Sequence, residues 1–153
     1  MNATSTIGIY AGSFNPFHVG HLSIVNQAKE VFNKVIVAQG INPDKNYDDP
    51  YPLPEGYLAA INVEIRPYNC LLTTLIEKIE KQYSSSNVIL VRGLRNGADL
   101  EYEQNLIAFL RGLKSDIKIV TFYCEPEFRH VSSSGLRGIA RFSESEYKKY
   151  IVS

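Results

Sequence analysis

Short apolar runs alternate with amphipathic helical patterns along the whole of this 153-residue sequence. Runs rich in Val and Ile predict strands at 7–11, 35–39, 63–68, 88–91 and 117–122. Apolar residues at steps of three and four predict helices at 19–32, 72–79, 100–113 and 133–141. Because the predicted strands are apolar on both faces, they indicate a parallel sheet covered by helices on both sides. We therefore expect an α/β fold with a five-stranded parallel sheet, forming a single domain over residues 1–153.

Two polar segments interrupt this alternation. Residues 42–54 are dense in Pro, Asp, Asn and Tyr and predict an exposed loop, and the serines at 84–86 predict another. In the helix predicted at 100–113, the side chains expected to face inward are Leu106, Phe109, Leu110 and Leu113. Ligands of open parallel sheets bind beyond the carboxyl ends of the strands, where the strand order reverses. We therefore expect the functional residues directly after the strands.

The charge balance limits the possible partners. The chain has 16 basic and 16 acidic residues, so a broad basic surface for nucleic acid is not expected. No apolar run approaches the roughly 20 residues of a membrane span, and the first residues do not resemble a secretory signal, so we expect a cytoplasmic protein. The two cysteines, Cys70 and Cys124, have no CxxC or Cys/His spacing. The sequence therefore indicates no zinc or redox pair, and it identifies no metal site made by the protein.

A glycine-bounded loop, GSFNPFHVGH at 12–21, follows the first predicted strand. We expect Gly12 to allow a tight turn and Gly20 to let the backbone approach a ligand. The helix after this loop is expected to present free N–H groups and its positive dipole end to an anion. His18 and His21 lie three residues apart, so both can face one side of the first helical turn. The alternative is two surface histidines, but two of the three histidines of the chain share this loop.

This loop resembles the HxGH signature of the nucleotidylyltransferase superfamily. The resemblance implies a Rossmann-like sheet that binds a nucleoside triphosphate, and direct in-line attack of the acceptor on its α-phosphate. The loop does not identify the acceptor: taken alone, it fits a nicotinate or nicotinamide mononucleotide adenylyltransferase as well as other members of the superfamily. His18 favours that alternative, because another adenylyltransferase family of the superfamily commonly has threonine or serine there.

The segment RGLRNGADLEYE at 92–103 resembles the phosphopantetheine adenylyltransferase family. Arg92 and Arg95 flank a glycine beside a predicted strand end, where guanidinium donors can hold a phosphate. Asp99 and Glu101 fit either a ligand contact or simple helix-end electrostatics. The resemblance implies that Glu103 contacts the nucleotide.

Two smaller matches extend the resemblance. The segment VSSSGLR at 131–137 resembles the superfamily's serine motif, although a plain helix cap would need only one of its serines. Lys45 lies where the family has a lysine that contacts phosphate groups of both substrates; the alternative is ordinary surface charge. The sequence departs from the family pattern at 46–57, where Gly56 occupies the place expected for an arginine.

The resemblance implies a complete set of site residues and ligands. ATP with Mg²⁺ and 4′-phosphopantetheine are the implied ligands, His21 is the implied transition-state stabiliser, and the family is typically hexameric. The implied acceptor contacts are Ser13, Lys45, Leu72 and Arg92. The implied nucleotide contacts are Ser13, Phe14, His21, Gly93, Leu94, Arg95, Glu103, Phe128, Arg129, His130, Val131, Ser132, Ser133 and Ser134. A cytidylyltransferase and a non-catalytic nucleotide sensor are weaker alternatives.

Overall fold

Parallel strands form one sheet in the computed structural model, which describes residues 4–41 and 52–153. The strands are β1 (Ser5–Gly12), β2 (Lys34–Gly40), β3 (Val63–Tyr68), β4 (Ser86–Leu94) and β5 (Ile119–Tyr123). Their order across the sheet is β3-β2-β1-β4-β5, and every neighbouring pair is parallel. The predicted α/β fold with a five-stranded parallel sheet is confirmed, whereas the single domain over 1–153 stays a prediction.

Helices cover both faces of this sheet. They are α1 (Val19–Val31), α2 (Glu55–Ala60), α3 (Leu72–Gln82), α4 (Gly97–Leu113), α5 (Ser133–Ala140) and α6 (Glu144–Lys148). Helices α1 and α2 pack in one core cluster with Tyr10, Val37 and Val91, and α3 and α4 pack in a second with Ile9 and Ile36. Since alternate strand residues point to opposite faces, each strand supplies both clusters. Within the described residues, no helix is long and apolar enough to cross a membrane.

Strand β4 is longer than its apolar run predicts. The prediction covered 88–91, but the strand begins at Ser86, where it pairs with β1, and continues to Leu94, because β5 pairs with it from Leu90 to Leu94. Arg92 therefore lies within the strand and not directly after it, and Ser86 does not belong to a loop. The strand predicted at 117–122 begins later, at Ile119, although Ile117 is buried.

Helix α4 differs from its prediction in which side chains are buried. Leu110 is buried and Leu106 is partly buried, as expected. Phe109 and Leu113 are 67% and 46% exposed, so the prediction that they face the core is wrong. Periodicity identifies the apolar side of a helix, but it does not show which of those side chains the neighbouring elements cover.

Two further segments depart from the sequence pattern. Leu53 is buried in the first core cluster and is followed by the short helix α2, which the sequence analysis did not assign. At the other end of the chain, α5 stops at Ala140, and Ser143 caps the new helix α6 by accepting from the N–H of Glu146.

The strand order creates a switch point between β1 and β4. From β1 the chain moves outward to β2 and β3, then returns to β4 on the other side of β1 and moves outward to β5. The connections after β1 and β4 therefore leave in opposite directions, which opens a crevice at the carboxyl ends of these two strands.

Candidate active site

A cleft of about 740 Å³ lies at this switch point. It brings together predicted site residues that are far apart in the sequence. Those that line it are Ser13, Phe14, His21, Leu72, Arg92, Gly93, Leu94, Arg95, Glu103, Val131, Ser132, Ser133 and Ser134. The expectation that functional residues gather at the strand ends therefore agrees with the geometry.

Three other predicted contacts, which are described residues, do not line the cleft. Phe128 is half-buried against the first core cluster, and Arg129 is exposed. His130 is exposed and its ring meets the ring of Tyr150 edge-on at 5.9 Å. Lys45 lies outside the described residues.

The two histidines form a reciprocal cap at the start of α1, which we call the histidine turn (residues 18–21). The Nδ1 atom of His18 accepts from the N–H groups of Gly20 (3.0 Å) and His21 (3.4 Å). The N–H of His18 in turn donates to Nδ1 of His21 (3.2 Å). The two rings stack with their centroids 3.7 Å apart. This is the capping-box arrangement, with imidazoles in place of the usual hydroxyl and carboxylate.

These hydrogen bonds fix the protonation state of both rings. Because each Nδ1 accepts, each neutral imidazole carries its proton on Nε2. Burial, followed by the charge of Arg95, lowers the pKa of His18 to about 4. Burial, followed by His18 and Arg95, holds the pKa of His21 well below its ordinary 6.5. His21 therefore lines the cleft as a neutral ring with an Nε2–H donor, which suits donation to a phosphate oxygen.

The histidine turn also bears on two expectations about the start of α1. The N–H groups of its first turn are not free: Val19 donates to the carbonyl of Tyr150, and Gly20 and His21 donate to His18. Gly20 is required by the protein itself, since a Cβ there would lie 2.8 Å from Cε1 of His18. The expected anion site on the N–H groups of α1 is therefore wrong.

The turn that follows β1 depends on Phe14. Its φ angle is 49°, in the left-handed region that a bulky residue rarely adopts, whereas Gly12 has no positive φ. The ring of Phe14 is buried against the rings of Tyr10 (5.2 Å) and His21 (5.0 Å). Aromatic packing therefore holds the backbone conformation that we expected Gly12 to provide.

A second group of donors lies at the start of α5, which we call the serine turn (residues 132–135). Ser132 caps the helix by accepting from the N–H of Gly135 (3.0 Å). The hydroxyl of Ser133 donates to the carbonyl of Pro16 (3.2 Å), and Arg137 donates to the carbonyl of Asn15. The N–H groups of Ser133 and Ser134 have no acceptor among the described residues. The serine turn is thus joined to the loop before α1, and its free N–H groups suit an anion.

Arg92 and Glu103 are paired with each other. Nε and Nη2 of Arg92 donate to the two carboxylate oxygens at 2.8 and 2.6 Å, and Nη1 donates to the carbonyl of Ala11 (3.3 Å). The Glu103 side chain is only 8% exposed. Both oxygens of Glu103 are engaged, so this geometry favours Glu103 as the group that orients Arg92.

Arg95 connects the end of β4 to the serine turn. Its guanidinium donates to both oxygens of Asp99 (3.1 and 3.2 Å) and, through Nη1, to the carbonyl of Val131 (3.4 Å). Asp99 also accepts from the backbone N–H of Arg95 (3.1 Å). Asp99 is therefore engaged with protein groups, which favours the local electrostatic role over a ligand contact.

The rest of the cleft wall is apolar. It is formed by Tyr68, Leu71 and Leu72 before and at the start of α3, and by Leu106, Phe109, Leu110 and Leu113 of α4. Phe109 and Leu113, exposed against expectation, are thus walls of the cleft. Tyr10, which the sequence pattern did not single out, also lines the cleft; burial raises the pKa of its hydroxyl, and its ring lies beside the ring of His21. The period-two pattern of β1 could have identified it, because it places Tyr10 on the face of the sheet opposite to Ile9 and Ala11, the face that α1 covers.

The acidic and metal-binding side chains give no protein-made metal site in the described part of the chain. No group of three His, Cys, Asp or Glu residues is placed to hold an ion there. The two acidic residues of the cleft, Asp99 and Glu103, are each paired with an arginine.

The sequence has clear relatives among known proteins. Residues 9–139 match the Cytidylyltransferase-like family. A phosphopantetheine adenylyltransferase of Clostridium perfringens is 32% identical over 95% of this chain and 87% of its own length. One of Streptococcus pneumoniae is also 32% identical, over 90% of this chain and 85% of its own length.

Solved structures share the fold at lower identity. A nicotinate-nucleotide adenylyltransferase structure from Vibrio parahaemolyticus has a TM-score of 0.64 at 16% identity, covering 97% of this chain and 88% of that one. A bifunctional NMN adenylyltransferase/ADP ribose pyrophosphatase of Francisella tularensis, complexed with AMP and a Mn ion, has a TM-score of 0.57 at 20% identity. The structural match covers 97% of this chain and 45% of the bifunctional enzyme. These structures support the fold, since their identity is too low to carry a substrate.

Proposed function

The chain belongs to the phosphopantetheine adenylyltransferases of the Cytidylyltransferase-like family, and we propose that it transfers an adenylyl group from ATP to 4′-phosphopantetheine. The products are dephospho-coenzyme A and pyrophosphate. The observation that carries this proposal is the pair of donor turns, the histidine turn and the serine turn, on one cleft at the β1–β4 switch point.

The reaction needs positioned donors and no nucleophile made by the protein. The acceptor phosphate oxygen attacks the α-phosphorus of ATP, and the bond from that phosphorus to the bridging oxygen breaks, leaving its electron pair on pyrophosphate. A phosphate monoester is largely ionised at neutral pH, so no general base has to remove a proton. Catalysis then comes from orientation and from stabilising the charge that develops on the phosphate oxygens.

We assign that stabilisation to His21 first. His21 lines the cleft, and its Nδ1 is held by the N–H of His18, so its Nε2–H donor is already oriented before ATP binds. The serine turn supplies further donors, the N–H groups of Ser133 and Ser134 and the hydroxyl of Ser134. These groups fit the triphosphate better than the start of α1 does, where all the first N–H groups are bonded within the protein.

The acceptor is assigned to the other side of the cleft. Arg92, oriented by Glu103, is the cation proposed for the acceptor phosphate, together with Ser13 and Lys45. The apolar wall, from Leu72 to Leu113, suits an uncharged pantetheine arm. Glu103 then affects acceptor binding through Arg92.

Mg²⁺ is proposed as the cofactor. The described cleft fits a metal that is held by the phosphates of ATP, because no cluster of three metal-binding side chains is placed there. When bound, the metal would neutralise charge on the transferred and leaving phosphates. The chain's own residues hold the phosphate oxygens that the metal leaves free.

A mononucleotide adenylyltransferase remains the alternative, supported by His18. The structure gives His18 another role: its Nδ1 caps α1, which a threonine or serine hydroxyl could also do. His18 is thus explained without a nicotinate mononucleotide acceptor. The hexamer stays a prediction from the family resemblance, and the cytoplasmic location stays a prediction from the sequence.

The test is pyrophosphate release with ATP, Mg²⁺ and each acceptor in turn: 4′-phosphopantetheine, nicotinate mononucleotide and nicotinamide mononucleotide. Product identity is checked by mass spectrometry, and CTP replaces ATP in a parallel series. We expect dephospho-coenzyme A from 4′-phosphopantetheine with ATP. Faster turnover of either mononucleotide would assign the alternative, and ATP binding without any turnover would indicate a nucleotide sensor.

A further inference from the structure

We propose that residues 150–152, which we call the strap, position the histidine turn for catalysis. The inference rests on the proposed function, because it assigns a positioning role in the same adenylyl transfer. The strap is remote in sequence from the histidine turn, but its backbone accepts a hydrogen bond from the first residue of α1.

Two backbone contacts join the strap to the histidine turn. The N–H of Val19 donates to the carbonyl of Tyr150 at 2.9 Å, and His18 and Ile151 form an antiparallel bridge. Val152 packs against the core cluster that contains Phe14 and Phe17. The strap is thus fixed on one side by the core and on the other by the start of the helix.

The Val19 bond satisfies a donor that the side-chain cap cannot satisfy. A helix begins with N–H groups that have no acceptor within the helix, and a capping side chain reaches those of the second and third residues. His18 does so for Gly20 and His21. Val19 is the first residue of α1, and the strap provides its acceptor.

The bridge also bears on the orientation of His21. His18 is held extended, with φ −131° and ψ 176°, and in this conformation its N–H donates to Nδ1 of His21. A change in the His18 backbone would turn that N–H away and release the imidazole that we assign to the transition state. The strap therefore acts on His21 through the backbone of His18.

The same segment also contacts the residues that lead into the serine turn. The ring of Tyr150 meets His130 edge-on, two residues before Ser132, and the strap follows α6, which packs on α5. One short segment thus contacts the histidine turn directly and, through His130, the residues that lead into the serine turn. Because a displacement of about 1 Å in a catalytic group can cost about 100-fold in rate, such a segment can control turnover without touching a substrate.

Val19→Pro tests the proposal by deleting the donor and placing a ring carbon toward the Tyr150 carbonyl, so that this bond cannot form. Proline lacks an N–H, but it is favoured at the first position of a helix. The residue before a proline must be extended, and His18 already is. Val19→Ala is the matched control, since it shortens the same side chain and keeps the N–H.

We expect Val19→Pro to lower kcat about tenfold relative to Val19→Ala, with the KM for ATP within about twofold and the helical circular dichroism unchanged. The ¹⁵N signals of the His21 imidazole should shift in Val19→Pro only, reporting a weaker bond at Nδ1. Equal kcat for the two variants, or a loss of folded protein with normal kcat in the remainder, would refute the positioning role.

Hydrogen exchange in the unchanged protein gives a test that does not depend on a variant folding. The Val19 amide should exchange far more slowly than the Ser133 amide, which has the same place in α5 but no acceptor among the described residues. Equally fast exchange of the two amides would refute the bond between Val19 and the strap. Neither this measurement nor the ¹⁵N signals require turnover, so they distinguish a failed strap from a failed function.

Discussion

Replacing His18 with asparagine should make the protein less sensitive to acid. In the folded protein Nδ1 of His18 accepts two N–H groups, and protonation of that nitrogen would break both bonds. Burial, followed by the charge of Arg95, accordingly lowers the pKa of this imidazole from 6.5 to about 4. Asparagine is also a strong helix cap, but it does not titrate.

The sign and size of the effect follow from proton linkage. Because the folded pKa is depressed, the unfolded chain binds a proton first, so stability is complete above pH 6.5 and is lost as the pH falls toward 4. For the pKa values of 6.5 and about 4, the free energy of unfolding falls by about 2 kcal/mol between pH 7.5 and pH 5. His18→Asn should abolish this loss of stability at low pH and leave only the loss that comes from His21.

Urea denaturation at pH 7.5 and pH 5 measures both values. His130→Asn is the matched control, because it makes the same substitution at an exposed imidazole outside the histidine turn. At pH 7.5 we expect His18→Asn to keep kcat within a few-fold, since the cap is retained. If His18→Asn lost as much stability between pH 7.5 and pH 5 as His130→Asn, the buried neutral cap would be the wrong description of His18.

Three further predictions concern the reaction itself. His21→Ala should lower kcat by about 3 kcal/mol of transition-state stabilisation, or roughly 100-fold, with a smaller effect on ATP binding; near-normal kcat in steady-state assays would contradict its role. Arg92→Ala and Glu103→Gln should both raise the KM for 4′-phosphopantetheine and leave the KM for ATP nearly unchanged; the reverse pattern for Glu103→Gln would make it a nucleotide contact. A chelator should abolish pyrophosphate release and leave the melting temperature without ATP unchanged, because the described chain places no metal-binding cluster in the cleft; a large drop in melting temperature would point to a metal held by the protein.

The architecture could be predicted from local patterns because each strand is defined by its own apolar run. The exact extent of β4 could not, since its last residues are added by backbone pairing with β5 and not by hydrophobicity. Arg92, for example, is polar, yet it pairs with Thr121 as part of the strand. Backbone pairing of this kind is nearly independent of the side chain, so a sequence pattern does not register it.

The candidate site could be predicted as a set of residues but not as a set of bonds. The spacing placed His18 and His21 on one side of a turn, and the cleft does contain both. It did not show that their nitrogens cap the helix, because that depends on the extended backbone of His18 and on a strap about 130 residues away in the sequence. Likewise, the apolar face of α4 was evident, but the neighbours that leave Phe109 exposed were not.

The pairing of charges in the cleft bears on how ATP is held. Among the described residues that line it, Arg92 is paired with Glu103 and Arg95 with Asp99, and both histidines are neutral. This part of the wall thus has almost no net charge, while the ligand proposed for it is a highly charged triphosphate. Neutral N–H and O–H donors can orient such a group, but they do little to offset its charge. The balance has to come from a divalent ion carried by ATP and from cations such as Lys45, outside the described residues. ATP affinity should therefore depend much more strongly on Mg²⁺ than on removal of any single donor of the serine turn.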